Sequence, residues 1–157
     1  MKAFLIMVSI VIAFNPISVK ASAPMTTTDY AEEIGIEESE FIFISSVVEA
    51  ESDRSDDIEG RIYIALTILN RVNDDRFNGD TITEILNAPG QFSTVRNGHS
   101  VTNRTELSDE AVFQAWRWIN EGDAPEVLFF NCRGYNYGEP YAYIGGNYFM
   151  TMGGEQE

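Results

Sequence analysis

Residues 41–72 read FIFISSVVEAESDRSDDIEGRIYIALTILNRV: an apolar helix, an acidic turn and a second apolar helix. At about 100° per residue, Phe41, Phe43, Ile44, Val47 and Val48 fill one half of the first helical wheel. Glu51 falls near the middle of that half. Glu49 falls on the other side with Ser45 and Ser46 and is expected to be solvated. A carboxylate aimed into apolar surroundings has its charged form disfavoured, so it holds a proton closer to neutral pH, as a general acid must. The competing reading is that the helix has ended by Glu51 and the side chain stands in water. Geometry alone leaves both open.

The second helix carries its own stripe. Ile58, Ile62, Ala65, Leu66, Leu69 and Val72 recur at helical spacing, the mark of one buried face. Ser55 is placed to cap it, with Asp56, Asp57 and Glu59 in a first turn where the helix dipole favours negative charge. Gly60 inside the stripe costs helix stability and points to close approach of another backbone.

Upstream, residues 1–23 have one early lysine, an apolar run from Ala3 to Phe14 and small residues at the end. That is the pattern of a secretory signal peptide, with cleavage expected after Ala21 or Ala23. The run is too short to span a bilayer comfortably, so no stable membrane span is expected after processing. Residues 24–36 read as a short polar leader or first turn, and 37–157 as one domain whose first core helix is expected from about Glu38 to Glu51. A chain that is 44% hydrophobic over 157 residues supports a single core.

Downstream, Thr81 to Leu86 form a short helix stopped by Pro89, and Gly90-Gln91-Phe92-Ser93 a turn. Residues 93–106 look loop-like. Ser108 is expected to cap a helix to Glu121, with Leu107 and Val112 as a hydrophobic staple and Gly122 as its stop. Ala111, Ala115, Trp116 and Ile119 form its inner face, which leaves Trp118 outside it. Asn70 reads as a structural amide bonding a loop carbonyl. Val127 to Phe130 is strand-like. A segment of tyrosines alternating with glycines follows, suited to short strands and loops.

Charge and composition narrow the function. The net charge of −15 and pI of about 4.3 leave no basic patch for nucleic acid. Cys132 and His99 are the only residues of their kinds. Zinc sites and Cys-His catalysis therefore lack ligands or partners, and no cofactor is expected. His99 reads as a solvated loop residue, and Cys132 as a half-buried thiol. A helix-borne glutamate beside rings with polar tips suits glycoside cleavage. A second carboxylate could come from Asp53, Asp56, Asp57 or Glu59. A single acid suffices when a hydroxyl of the sugar itself is the nucleophile.

Six blocks in order carry a resemblance: Val48-Glu49-Ala50-Glu51, Glu59-Gly60, Leu69-Asn70-Arg71-Val72, Gly90-Gln91-Phe92-Ser93, Leu128-Phe129-Phe130 and Ile144-Gly145-Gly146-Asn147-Tyr148-Phe149. Together they resemble the cell wall hydrolase family of the spore-cortex-lytic enzymes SleB and CwlJ. The resemblance implies an α+β, mainly α, lysozyme-like domain with a small β element near the C-terminus. It also implies cleavage of the N-acetylmuramic acid–N-acetylglucosamine bond of peptidoglycan, by lytic transglycosylation in SleB, with the family's catalytic glutamate falling on Glu51. The chain departs from the family with Ser52-Asp53, where a small residue and glycine are usual. Asn147 stands where histidine is frequent.

The expected site is Glu51 as catalytic acid, with Gln91, Phe92, Asn147 and Tyr148 positioning the sugar. Tyr135, Tyr137, Tyr141 and Tyr143 are the expected ring platforms. The expected partner is a peptidoglycan glycan strand, and the expected location the cell wall, spore or exterior. No wall-binding repeat is present in the sequence, so targeting falls to the domain or to an accessory protein. The alternative is a non-catalytic wall-glycan binding module; a structural protein of a spore or surface layer is a third reading.

Overall fold

The computed structural model describes residues 24–52, 57–96 and 103–153. Helices α1 (Thr27–Ile34), α2 (Glu38–Glu51), α3 (Ile58–Val72), α4 (Ile82–Asn87), the single turn α5 (Ser93–Arg96) and α6 (Glu106–Glu121) precede strands β1 (Val127–Asn131), β2 (Glu139–Ile144) and β3 (Asn147–Thr151). The fold is mainly helical with one small sheet. Residues 1–23, Ser55 and His99 lie outside the described residues.

Helix α3 is the axis. Its buried positions are not one stripe: Tyr63, Ile64, Thr67 and Ile68 are as enclosed as Ala65, Leu66 and Leu69, because helices and strands surround it. Ile58, Ile62 and Val72, assigned to the inner face from spacing, are only half-buried. Its cap is Asp57, whose carboxylate accepts from the Glu59 amide at 2.9 Å.

Helix α2 has the bounds its sequence implies, and it too is enclosed on more than one side. Phe41, Ile44, Val47 and Val48 are fully buried, each contributing about 1.5–3 kcal/mol. Ser45 and Ser46, expected in solvent, are also buried. Ser46 satisfies its hydroxyl on the Ile42 carbonyl, and Ser45 donates to Asp109 of α6. A segment expected as leader or first turn holds α1, capped by Thr26 in a reciprocal box with Asp29. Tyr30 of this helix stacks on Phe41 at 5.4 Å.

The cap of helix α6 lies three residues before the one expected. Thr105 is the N-cap, and Ser108 is the third helical residue of a reciprocal capping box. Ser108 is therefore buried inside the helix, and Leu107, its second helical residue, does not hold the position before the cap that a staple requires. Gly122 ends it in the left-handed conformation, φ 86°. Both tryptophans are half-buried. Trp116 stacks on Phe113, and Trp118 meets the Tyr63 ring edge-on at 5.8 Å, so it is a packing residue.

The sheet has the order β1-β3-β2, antiparallel throughout. Gly145 and Gly146, both at positive φ, make the two-residue turn between β2 and β3. That turn meets α3 where Gly60 stands: a Cβ on Gly60 would lie 2.9 Å from the Gly145 Cα. The close approach inferred from Gly60 is this contact. At the other end of α3, the Asn70 side-chain amide donates to the Pro125 and Val127 carbonyls, each at 3.0 Å, and so holds the entry to β1.

Candidate active site

A cleft of about 600 Å³ opens where the C-terminal ends of α2 and α3 meet the sheet and the 90–92 turn. Glu51, Gln91, Tyr137 and Asn147 line it, as do Arg71, Phe77, Gly90, Phe129, Phe130, Asn131, Cys132 and Arg133.

Glu51 is the last residue of α2 and is half-buried. The helix has not ended before Glu51, and the residue lines the cleft. The Thr94 hydroxyl donates to Glu51 Oε1 at 2.6 Å, and the Thr94 backbone N–H points to the same oxygen at 3.4 Å. One carboxylate oxygen is thus anchored by α5, and among the described residues nothing donates to Oε2. Of the described lining residues, Glu51 alone carries a carboxylate. Among the proposed second carboxylates, Asp57 is spent as the α3 cap and Glu59 is exposed on the first turn of α3; neither lines the cleft. Asp53 and Asp56 lie outside the described residues.

Glu49 behaves otherwise than its wheel position suggests. Arg61 Nε and Nη2 donate to its two oxygens at 3.0 and 3.1 Å, and the Thr105 hydroxyl adds a third bond at 2.8 Å. The Arg61 side chain is 4% exposed and that of Glu49 16%. Burial raises the Glu49 pKa, but the hydrogen bonds from Arg61 and Thr105 with the charge of Arg61 outweigh it and hold the carboxyl below its ordinary value. Glu49 therefore clamps α2 to α3 and α6 behind the cleft. It is not a solvated bystander.

Arg71 forms one wall. It is buried, with Nε donating to the Leu128 carbonyl at 2.7 Å and Nη1 to the Gln91 side-chain oxygen at 2.7 Å. The rings of Phe77, Phe92 and Phe129 surround its guanidinium carbon at 5.0, 5.2 and 5.7 Å. Desolvation pulls its pKa down to about 10, so it stays cationic at neutral pH. This residue ties the 90–92 turn to β1 and orients Gln91.

The remaining expected contacts separate. Phe92 is 3% exposed and packs in the core under Arg71 and Phe130, where no sugar reaches it. Tyr135 and Tyr143 flank Tyr148 at 4.9 and 4.5 Å, a cluster that does not line the cleft. Tyr141 sits 6.0 Å from Tyr63, also off the cleft. Tyr137 is the one tyrosine of the group at the cleft, beside Phe129. Cys132 is exposed at the rim, contrary to the half-buried position expected. Among the described residues, no group of three or more His, Cys, Asp or Glu is arranged to hold a metal ion.

Residues 55–149 match the cell wall hydrolase family, starting just after Glu51. The fold is similar to the crystal structure of the catalytic domain of the Bacillus cereus SleB protein, with a TM-score of 0.61. The two are 22% identical over 73% of this chain and 91% of that one. No curated protein matches the chain. With the family match covering more than half of its residues, the chain belongs to the cell wall hydrolase family of SleB and CwlJ, enzymes that act on peptidoglycan.

Proposed function

We propose that this protein cleaves the β-1,4 bond between N-acetylmuramic acid and N-acetylglucosamine by lytic transglycosylation, with Glu51 as the acid and then the base. The observation that carries the reading is a half-buried carboxylate at the end of α2, anchored through one oxygen and without a second carboxylate among the described lining residues. Protonated Glu51 gives its proton to the glycosidic oxygen as the bond to C1 of the muramic residue breaks. The 6-hydroxyl of that same residue then attacks C1, and the Glu51 carboxylate takes the hydroxyl proton. The enzyme regains its acid, and no water is consumed. Two-carboxylate hydrolysis would instead need a partner about 5 Å away, or at 6.5–9.5 Å with a water between.

In this reading Gln91 and Asn147 supply the amides that orient the sugar. Gln91 is held by Arg71 through its oxygen, which turns its N–H₂ donors outward. Asn147 is 5% exposed at the start of β3 and lines the cleft beside them. Tyr137 offers the ring at the rim. Digestion of purified peptidoglycan followed by mass spectrometry tests the reaction: anhydro products about 18 Da lighter than reducing-end products support transglycosylation. Reducing ends alone would demand a second carboxylate and overturn the single-acid mechanism. The same reading places the protein outside the cell, at the wall or spore, with residues 1–21 or 1–23 removed. No described helix is long and apolar enough to cross a membrane. Intact-mass measurement of the exported form, starting at Ser22 or Pro24, checks this.

A further inference from the structure

The cleft carries a charge balance opposite to that of the chain. The sequence holds 10 Lys and Arg against 25 Asp and Glu, yet the described lining residues include two arginines and one carboxylate. The arginines stand at two depths. Arg71 is buried, and its two hydrogen-bond acceptors, the Leu128 carbonyl and the Gln91 amide, are both neutral. A buried ion costs several kcal/mol when it has no counter-charge, and cation–π contacts offset only part of that. No described carboxylate bonds this guanidinium. Among the described residues Nη2 has no acceptor and is not fully buried, and Arg71 lines the cleft. Arg133 is exposed at the rim. Its backbone N–H closes a turn onto Asn131 Oδ1 at 2.7 Å, which fixes the segment presenting the side chain. At physiological salt, charges beyond about 8 Å are largely screened, so a ligand in the cleft feels the arginines that line it more than the distant acidic residues of the chain.

We infer that Arg71 and Arg133 form an anion subsite that selects glycan strands carrying a free carboxylate on or next to the muramic residue. The guanidinium fork matches a carboxylate in geometry as well as charge. Two sources supply that group: the lactyl carboxylate, exposed where the stem peptide has been removed, and the carboxylates of the stem peptide itself. The inference rests on glycan strands being the ligand, as proposed above.

The test is equilibrium binding by the full chain carrying Glu51→Gln, so that turnover does not enter. Strands stripped of peptide, strands bearing peptide, and each of these after carbodiimide amidation of their carboxylates are compared at matched length. Amidation is expected to weaken binding about tenfold, or about 1.4 kcal/mol. Adding Arg133→Gln should remove most of that difference. Adding Arg117→Gln, which removes an equal charge from the exposed face of α6, should leave it intact. An effect confined to peptide-bearing strands identifies the stem peptide as the source, and an effect also present in stripped strands identifies the lactyl group. Equal affinity for charged and amidated strands overturns the subsite, as do unchanged discrimination in Arg133→Gln and absence of binding to every strand. A wild-type chain that shows the charge preference but releases no product would instead contradict the cleavage reaction alone.

Discussion

Glu49→Gln is the substitution on which the sequence and the structure disagree most sharply. A solvated glutamate would be replaced at almost no cost. Here the change removes one charge of a pair in which Arg61 is nearly inaccessible and Glu49 accepts three hydrogen bonds. Removing one partner of a fully buried pair costs about 3–5 kcal/mol. Two features reduce that figure. Glu49 keeps some contact with water, and Arg61 retains a bond from Nη1 to the Asp57 carbonyl at 3.0 Å. The glutamine oxygen also preserves one acceptor. The expected loss is about 2–4 kcal/mol, which for a domain of this size lowers Tm by roughly 10 °C. The pH dependence gives a second readout. Because the folded pKa of Glu49 is depressed, its contribution is present above the unfolded value of about 4.3 and is lost as the pH falls through the folded value. Burial raises the pKa of Asp109, which gives the opposite slope, but that carboxyl is common to both proteins. The gap between wild type and Glu49→Gln should therefore narrow below about pH 4. A melting temperature within about 1 °C of wild type at pH 7 would refute the clamp.

Four further substitutions probe the frame and the cleft. Gly60→Ala gains about 1 kcal/mol of helix propensity but forces a methyl into the Gly145 backbone, an overpacking cost of about 1–3 kcal/mol. Gly145→Ala meets the same contact and adds left-handed strain at φ 54°, about 1–2 kcal/mol more, so denaturant midpoints should fall in the order wild type, Gly60→Ala, Gly145→Ala. Phe92→Ala should cost about 3–5 kcal/mol of stability, as a core truncation does, and urea melts should show it without any glycan present. Thr94→Val removes the hydroxyl donor to Glu51, and steady-state kinetics should show kcat about tenfold lower with KM nearly unchanged.

The parts of the fold that local pattern determines were legible. The bounds of α2, the Gly60 approach and the structural role of Asn70 follow from helical spacing and from the chemistry of one residue at a time. Misreadings arose where a third element decides the outcome. A wheel assumes one buried face, but α2 lies among α1, α3 and α6, so Ser45, Ser46 and Glu49 are enclosed with partners that sequence distance conceals. The cap of α6 was misplaced because Thr105 and Ser108 both suit the position, and the reciprocal bonding of the pair settles it. Glu51, Gln91, Tyr137 and Asn147 were found in the cleft as expected. Arg71 and Phe129 were missed as site residues because their roles depend on β1 crossing the end of α3. The tyrosines were grouped by composition, whereas strand register divides them: Tyr143 and Tyr148 are cross-strand partners, away from the cleft that the neighbouring Asn147 enters.

The central claim is that Glu51 does the proton transfer, and Glu51→Gln tests it most directly. Purified wild type and variant would be matched for melting temperature, then assayed for release of soluble muropeptides from peptidoglycan. General acid–base catalysis contributes about 10²–10⁴-fold, so turnover should fall by at least about a hundredfold while binding to glycan strands persists. Turnover within about tenfold of wild type, in a variant that folds and binds, would contradict the assignment.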